Sequence, residues 1–200
     1  MFTPRDWWHK LGPAGLVTVA SLGFAWAAVG LLVTGRLRWS VLAALVAFVL
    51  DMVDGLVARR TGTASDFGRT LDSLADIVNY SVWSALAAAL WIVPGIWGWI
   101  VGGLIVAGGA VRLARFTVDG FDDGPIKYYR GVVTPHLTLA AMALLLLESR
   151  VDVPGAVAVA VLAILAIGQL AGFTMRKTGR QAYWATLVVP LALGAVLWLP

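Results

Sequence analysis

The chain of 200 residues contains no cysteine, and charged residues make up only 13% of it. The absence of cysteine excludes a disulfide framework, a thiolate metal site and a cysteine nucleophile. The scarcity of charge, with 60% hydrophobic residues and a mean hydropathy of +0.86, excludes an ordinary soluble domain. A net charge of +4 would suggest nucleic acid in a soluble protein, but here the basic residues are expected to mark one membrane face. We therefore expect a polytopic membrane protein that lies in the lipid bilayer and does not bind nucleic acid.

Apolar runs long enough to cross a bilayer recur along the whole chain. The sequence predicts an all-α fold with six to seven transmembrane helices in a single domain over residues 1–200. Residues 1–10 mix tryptophan with basic residues, which predicts a short interfacial helix on the bilayer surface. The predicted spans are residues 11–34, 39–59, 68–93, 95–118, 132–147 and 153–175, with 183–199 as the candidate seventh.

Lysine and arginine are divided unequally between alternate connections of these spans. With the amino terminus in the cytoplasm, twelve basic residues fall on the cytoplasmic side, and only Arg36, Arg38 and Arg150 fall on the other. By the positive-inside rule, this distribution predicts an amino terminus in the cytoplasm, and we expect a multi-pass protein of the cell membrane. It also places the connection between the second and third spans in the cytoplasm.

Five of the eleven acidic residues lie in one short stretch between apolar segments, namely Asp51, Asp54, Asp66, Asp72 and Asp76. An ionised carboxylate costs about 2.5–3.5 kcal/mol at the centre of a lipid-facing helix, so several of them in adjacent helices need cations or water. Asp51 and Asp54 are spaced i,i+3 on one helix, and Asp72 and Asp76 are spaced i,i+4 on the next. The loop 60–65 is short enough to make these helices antiparallel neighbours. Four carboxylates can then converge on hard divalent cations, which take oxygen ligands.

These aspartates belong to a longer pattern, Asp51-x-x-Asp54-Gly55-x-x-Ala58-Arg59, eight residues, Gly68-x-x-x-Asp72-x-x-x-Asp76. At every fixed position the pattern resembles the signature of the CDP-alcohol phosphotransferases. The resemblance implies an integral membrane enzyme that transfers a phosphatidyl or related phosphoryl group from a CDP-activated lipid to an alcohol.

Three further segments resemble the phosphatidylserine synthase branch of that family: residues 72–78, Arg112-Leu113-Ala114-Arg115-Phe116 and Gly131-x-x-Thr134-Pro135. The chain departs from that branch at Asn79-Tyr80-Ser81, where Ser-Phe-Gly is usual, and at Val133, where proline is usual. This resemblance implies phosphatidyl transfer from CDP-diacylglycerol to L-serine, giving phosphatidylserine and CMP. The same chemistry with inositol phosphate or glycerol 3-phosphate as acceptor is the alternative.

The resemblance also implies roles for individual positions. Asp51, Asp54, Asp72 and Asp76 would hold two divalent ions, Mg²⁺ or Mn²⁺, and Asp76 would also be the general base. The CDP group would lie against residues of the same motif and its loop, namely Gly55, Ala58, Arg59, Asp66 and Gly68. Asp66 lies outside the fixed positions of the motif, and capping of the following helix is the alternative role for it.

Basic residues after the fourth span are candidates for the acceptor site. Arg112 and Arg115 are spaced i,i+3 at the predicted cytoplasmic end of that span, and Lys127 and Arg130 follow. Guanidinium groups can bind phosphate or carboxylate oxygens through two parallel hydrogen bonds. The alternative is that these long side chains only extend to the membrane edge.

Three other features leave alternatives open. His136 is a candidate proton relay or a structural residue at a helix start. Small residues at 102–103 and 108–109 indicate close helix packing, which is compatible with a homodimer seam. Intramembrane carboxylates also occur in divalent-cation transporters, but such a protein needs polar residues deep in several spans. Spans one, six and seven offer almost none, so the enzyme is favoured over the transporter.

Overall fold

A computed structural model describes residues 4–119 and 128–176, together with the single positions 192 and 195. Lys127 and the candidate seventh span, 183–199 apart from those two positions, lie outside the described residues. The helices are α1 (Pro4–Val33), α2 (Leu37–Thr61), α3 (Asp66–Asp76), α4 (Trp83–Ala87), α5 (Ile96–Asp119), α6 (Thr134–Glu148) and α7 (Gly155–Gly168). Two π-helical segments, π1 (Ile77–Val82) and π2 (Ala88–Ile92), continue α3 and α4, and two short strands are β1 (Tyr128–Arg130) and β2 (Thr174–Arg176).

Four helical stretches are long and apolar enough to cross a membrane: Leu11–Val33, Leu37–Thr61, Asp66–Ile92 and Ile96–Val118. They correspond to the first four predicted spans. The apolar helices α6 and α7 follow, but they have only 15 and 14 residues, whereas a complete crossing takes about 20. The predicted class, an all-α polytopic membrane protein, is confirmed.

A break in α1 separates a short amino-terminal helix from the first span. Gly12 has φ 56° and ψ −179°, which is not helical, and Pro13 follows it. Only glycine adopts this backbone conformation readily, and proline is tolerated where a helix begins. A boundary near residue 10 is what the sequence predicts between an interfacial segment and a span.

The predicted sixth span, 153–175, is wrong at its carboxyl end, because α7 ends at Gly168. The connection before α6 folds against that end, where Val132 N donates to Gly168 O and Gly131 N donates to Phe173 O. Gly131 has φ 66°, and a Cβ atom there would lie only 2.7 Å from Gly168 O. The backbone groups that would extend α7 are therefore used by a neighbouring segment. The chain then enters β2, which pairs antiparallel with β1.

Small residues let the helices approach closely within one chain. A Cβ atom on Gly102 would lie 3.0 Å from Ala85 O, and one on Gly108 would lie 2.8 Å from Ala166 O. Gly109 abuts Ser81, whereas Gly103 has nothing within 4 Å. Three of these four glycines therefore serve packing of α5 against its own chain. The homodimer stays a prediction, but these three glycines cannot form its interface because they pack within one chain.

Candidate active site

Three aspartates converge between the second half of α2, which carries Asp51, and the second half of α3, which carries Asp72 and Asp76. One carboxylate oxygen each from Asp51, Asp72 and Asp76 lies within 4.8 Å of the other two. The connection between the two helices is short and capped at both ends, and α2 and α3 both pack against α1. Their antiparallel arrangement stays a prediction. Gly62, with φ 65°, ends α2 in the left-handed conformation, and Ser65 Oγ accepts a 3.1 Å hydrogen bond from Gly68 N at the start of α3.

Two oxygen atoms of this cluster lack partners. Asp51 Oδ1 and Asp76 Oδ1 are buried and accept no hydrogen bond from any residue that the structure describes. The other oxygen of Asp51, Oδ2, accepts a 2.8 Å hydrogen bond from Tyr80 Oη. Buried carboxylates that face one another repel unless a cation lies between them. The donor set, all hard oxygen atoms, therefore fits a divalent ion such as Mg²⁺ or Mn²⁺.

The fourth predicted metal ligand, Asp54, is not part of this three-carboxylate cluster among the described residues. It is buried, with 5% of its surface exposed, and its Oδ2 accepts a 2.6 Å hydrogen bond from Thr18 Oγ1 on α1. The i,i+3 spacing places Asp54 one turn from Asp51, but the hydroxyl of Thr18 directs one of its oxygens towards α1. The structure thus brings three of the four predicted carboxylates together.

The candidate CDP-binding residues lie on both sides of the connection between α2 and α3. The guanidinium of Arg59 lies over Gly55, since a Cβ atom there would be 3.3 Å from Arg59 Nη1. Gly68 is the partner of the capping residue Ser65, and the capping role for Asp66 is wrong. Asp66 is exposed and pairs with Arg69 at 3.3 Å. Ala58 lies in the last turn of α2 and is half-buried.

The two arginines of α5 have different neighbours. Arg112 Nη1 donates a 3.3 Å hydrogen bond to Thr134 Oγ1 at the start of α6, and its charge is close enough to Asp76 for a favourable electrostatic interaction. Arg115 Nη1 donates instead to Leu170 O, just beyond α7, at 3.3 Å. Arg112 thus has a favourable electrostatic interaction with the acidic cluster, while its hydrogen bond goes to Thr134. Extension to the membrane edge does not by itself account for either arginine, because each guanidinium donates a hydrogen bond within the protein.

Two other candidates lie further along the chain. Arg130 is exposed on β1, and His136 is exposed in the first turn of α6 beside Arg112. The proton-relay role of His136 stays a prediction.

Two residues that hold the aspartates are missing from the predicted site, Thr18 and Tyr80. Tyr80 is 2% exposed, and its ring packs edge-on against Phe48 with centroids 5.6 Å apart. The run Asn79-Tyr80-Ser81, polar in an apolar span and different from the phosphatidylserine synthase pattern, is the signal that could have drawn attention to it. Thr18 gives no such signal, because single threonines are common in transmembrane helices.

The apolar helices and the cluster of aspartates indicate a membrane enzyme, and comparison with known sequences gives its family. Residues 13–170 match the model of the CDP-alcohol phosphatidyltransferase family, and the chain belongs to that family. The family uses divalent metal ions.

Its curated relatives include serine phosphatidyltransferases. The chain is 36% identical over 114 residues to the CDP-diacylglycerol–serine O-phosphatidyltransferase of Helicobacter pylori, covering 56% of this chain and 46% of that protein. It is 37% identical over 90 residues to the protein of the same name from Methanocaldococcus jannaschii, covering 40% and 41%. It is also 33% identical over 109 residues to the archaetidylserine synthase of Methanothermobacter thermautotrophicus, covering 52% and 46%. The chain thus spans about half the length of the curated relatives it matches.

Proposed function

We propose that this protein transfers the phosphatidyl group of CDP-diacylglycerol to L-serine and releases CMP. The observation that carries the proposal is the cluster of Asp51, Asp72 and Asp76 on the family's sequence motif, with two buried carboxylate oxygens that have no partner among the described residues. The names of the relatives support serine as the acceptor. The positive-inside distribution supports a site that faces the cytoplasm of a cell-membrane enzyme.

The aspartates would hold Mg²⁺ or Mn²⁺. Bound divalent ions would neutralise the donor's pyrophosphate and the charge that develops on the leaving CMP. Asp51, Asp72 and Asp76 would hold these ions, which is supported by the three carboxylate oxygens that lie within 4.8 Å of one another, and Asp54 would complete the set with the oxygen that Thr18 does not engage. Gly55, Ala58, Arg59, Asp66 and Gly68 would border the CDP group, with Arg59 near its phosphates.

Asp76 is the proposed general base. The hydroxyl oxygen of serine forms a bond to the phosphatidyl phosphorus, the bond from that phosphorus to the bridging oxygen breaks, and CMP leaves with the electron pair. The hydroxyl proton passes to a carboxylate within hydrogen-bond reach. Asp76 Oδ1 is buried and has no hydrogen-bond partner in the described part of the chain, and the charge of Arg112 interacts favourably with Asp76. Arg112 would therefore hold the acceptor's carboxylate next to the base, with Arg115, Lys127 and Arg130 as the outer basic residues.

One assay tests this proposal. Purified protein is supplied with CDP-diacylglycerol and Mn²⁺, and CMP release is measured with L-serine, glycerol 3-phosphate or inositol 1-phosphate. We expect release with serine alone among the three. Release only with a phosphorylated alcohol would overturn the serine assignment and leave the family chemistry intact, and no release with any of them would contradict both.

A further inference from the structure

A second group of buried polar atoms lies outside the motif. Ser81 and Gln169 are each 1% exposed, and Ser81 Oγ, Gln169 Oε1 and Gln169 Nε2 have no hydrogen-bond partner among the residues that the structure describes. The two side chains come from different elements, π1 and the residue after α7, yet they meet at one place. A Cβ atom on Gly109 would overlap Ser81 Oγ and lie 3.5 Å from Gln169 Oε1. We call Ser81, Gly108, Gly109 and Gln169 the amide cluster.

The amide cluster lies next to the acidic cluster, one turn further along both of the helices that carry it. On one helix, Ser81 follows Asp76 by one turn of π1, which has i→i+5 hydrogen bonds. On the antiparallel helix α5, Gly109 precedes Arg112 by three residues. Since Arg112 interacts with Asp76 and Gly109 contacts Ser81, the two clusters are successive layers between the same helices.

Contacts with Arg115 and with the segment before α6 fix the backbone at the end of α7. The buried side chain of Gln169 lies against Gly108 and Gly109 of α5. Arg115 Nη1 donates to Leu170 O, and the carbonyl groups of Gly168 and Gln169 pack against Gly131. The same connection runs on to Thr134, which accepts a hydrogen bond from Arg112. The backbone around Gln169 is thus tied to the arginine that faces the acidic cluster.

Three buried polar atoms that find no partner in the described part of the chain destabilise the protein unless they bind something else. Leaving one buried polar group without a hydrogen bond costs about 1–3 kcal/mol, and the cost is greater in apolar surroundings. An amide offers both a donor and an acceptor, and a hydroxyl does the same. Such a set suits a small polar ligand carrying an ammonium group, which needs acceptors, beside a carboxylate that a neighbouring guanidinium can bind.

We propose that the amide cluster binds the amino group of the acceptor amino acid, with the Gln169 amide oxygen and Ser81 Oγ accepting hydrogen bonds from its ammonium. This inference rests on the proposed function and identifies what selects an amino acid over other alcohols. Arg112 holds the carboxylate, and the hydroxyl is left to face Asp76. L-Serine fits this arrangement, because its three functional groups lie on adjacent carbon atoms.

The test compares L-serine with 3-hydroxypropionate, which is serine without its amino group. CMP release and ligand binding by calorimetry are measured for the wild-type protein, Gln169→Leu, Ser81→Ala and a control, Trp91→Phe. The control removes a hydrogen bond from Trp91 Nε1 to Leu32 O, remote from both clusters. Thermal unfolding is recorded for every variant.

We expect Gln169→Leu to weaken serine binding and raise its KM roughly tenfold or more, as loss of a hydrogen bond to a charged group does. Its 3-hydroxypropionate kinetics and its KM for CDP-diacylglycerol should stay unchanged, and the melting temperature should not fall, because an unpaired amide has been removed. Ser81→Ala should show a smaller loss of the same kind. Ser81→Ala also tests the inference if Gln169→Leu does not fold.

Equal losses for serine and 3-hydroxypropionate, or unchanged serine affinity in both variants, would overturn the inference and leave water as the partner of these atoms. Either result with an active, serine-dependent wild type would leave the proposed function standing. A wild-type protein whose CMP release does not depend on serine would overturn the proposed function, on which the inference rests.

Discussion

The hydroxyl of Tyr80 donates a 2.8 Å hydrogen bond to Asp51 Oδ2, and the opposite oxygen, Oδ1, is buried and has no partner within residues 4–119 and 128–176. Tyr80 lies in π1, directly after the helix that carries Asp72 and Asp76. One hydrogen bond therefore ties the carboxylate of α2 to the helix that supplies the other two. It also fixes which oxygen of Asp51 is left for a metal ion.

Replacement of Tyr80 by Phe should weaken metal binding without disturbing the packing of the ring against Phe48. A hydrogen bond to a charged group contributes about 1.5–3 kcal/mol, so we expect Mn²⁺ affinity to fall roughly tenfold or more. Calorimetric titration with Mn²⁺ measures the change, with Trp91→Phe as the matched control. Mn²⁺ affinity equal to that of the wild type would show that the tyrosine does not position Asp51.

Thr18 should have a similar role for Asp54. Thr18→Val keeps the shape of the side chain and removes the 2.6 Å hydrogen bond that its hydroxyl donates. We expect a lower affinity for Mn²⁺ and for CDP-diacylglycerol, because Asp54 loses its fixed orientation. Thr34→Val is the control, since its hydroxyl is exposed and bonds only to carbonyl groups of its own helix end. Equal behaviour of the two variants would contradict the role of Thr18.

Arg112 and Arg115 should respond differently to replacement by lysine. Lysine cannot reproduce a bidentate contact, so Arg112→Lys should raise the KM for serine while leaving the KM for CDP-diacylglycerol nearly unchanged. Arg115→Lys should instead lower the melting temperature, because Arg115 holds the carbonyl group of Leu170. Steady-state kinetics with both substrates and thermal unfolding distinguish the two. A loss of donor and acceptor affinity together in Arg112→Lys would point to a contact with the pyrophosphate.

The role of Asp76 as base can be separated from a role as ligand. We expect Asp76 to contact the metal ions weakly and to keep one oxygen for the hydroxyl of serine. Asp76→Asn should therefore abolish turnover while Mn²⁺ and CDP-diacylglycerol binding largely survive, whereas Asp51→Asn and Asp72→Asn should damage Mn²⁺ binding itself. Calorimetric titration of the three variants, beside their rates, gives the comparison. Equal loss of metal affinity in Asp76→Asn and Asp72→Asn would mean that Asp76 is a ligand with no separate base function.

The sequence predicts the first four spans and the meeting of Asp51, Asp72 and Asp76, because apolar length, the i,i+4 spacing of Asp72 and Asp76 and the short connection between the two helices are local properties. The end of α7 is not predictable in this way, since residues 153–175 are apolar apart from Gln169 and Thr174, and the helix stops where Gly131 approaches it. The hydrogen-bond partners of the aspartates cannot be predicted from the sequence either. Thr18 lies 36 residues from Asp54, and Tyr80 lies 29 residues from Asp51, so neither contact has a spacing that a sequence pattern could reveal.

The most direct test of the central claim is the lipid product itself. Purified protein is incubated with CDP-diacylglycerol, L-serine and Mn²⁺, and the lipids are identified by mass spectrometry, with Asp72→Asn and a chelator-treated sample in parallel. We expect phosphatidylserine and an equal amount of CMP from the wild-type protein, none from Asp72→Asn, and recovery of the chelated sample when Mn²⁺ is restored. CMP released without phosphatidylserine, or phosphatidylserine formed equally well by Asp72→Asn, would contradict phosphatidyl transfer to serine at this cluster.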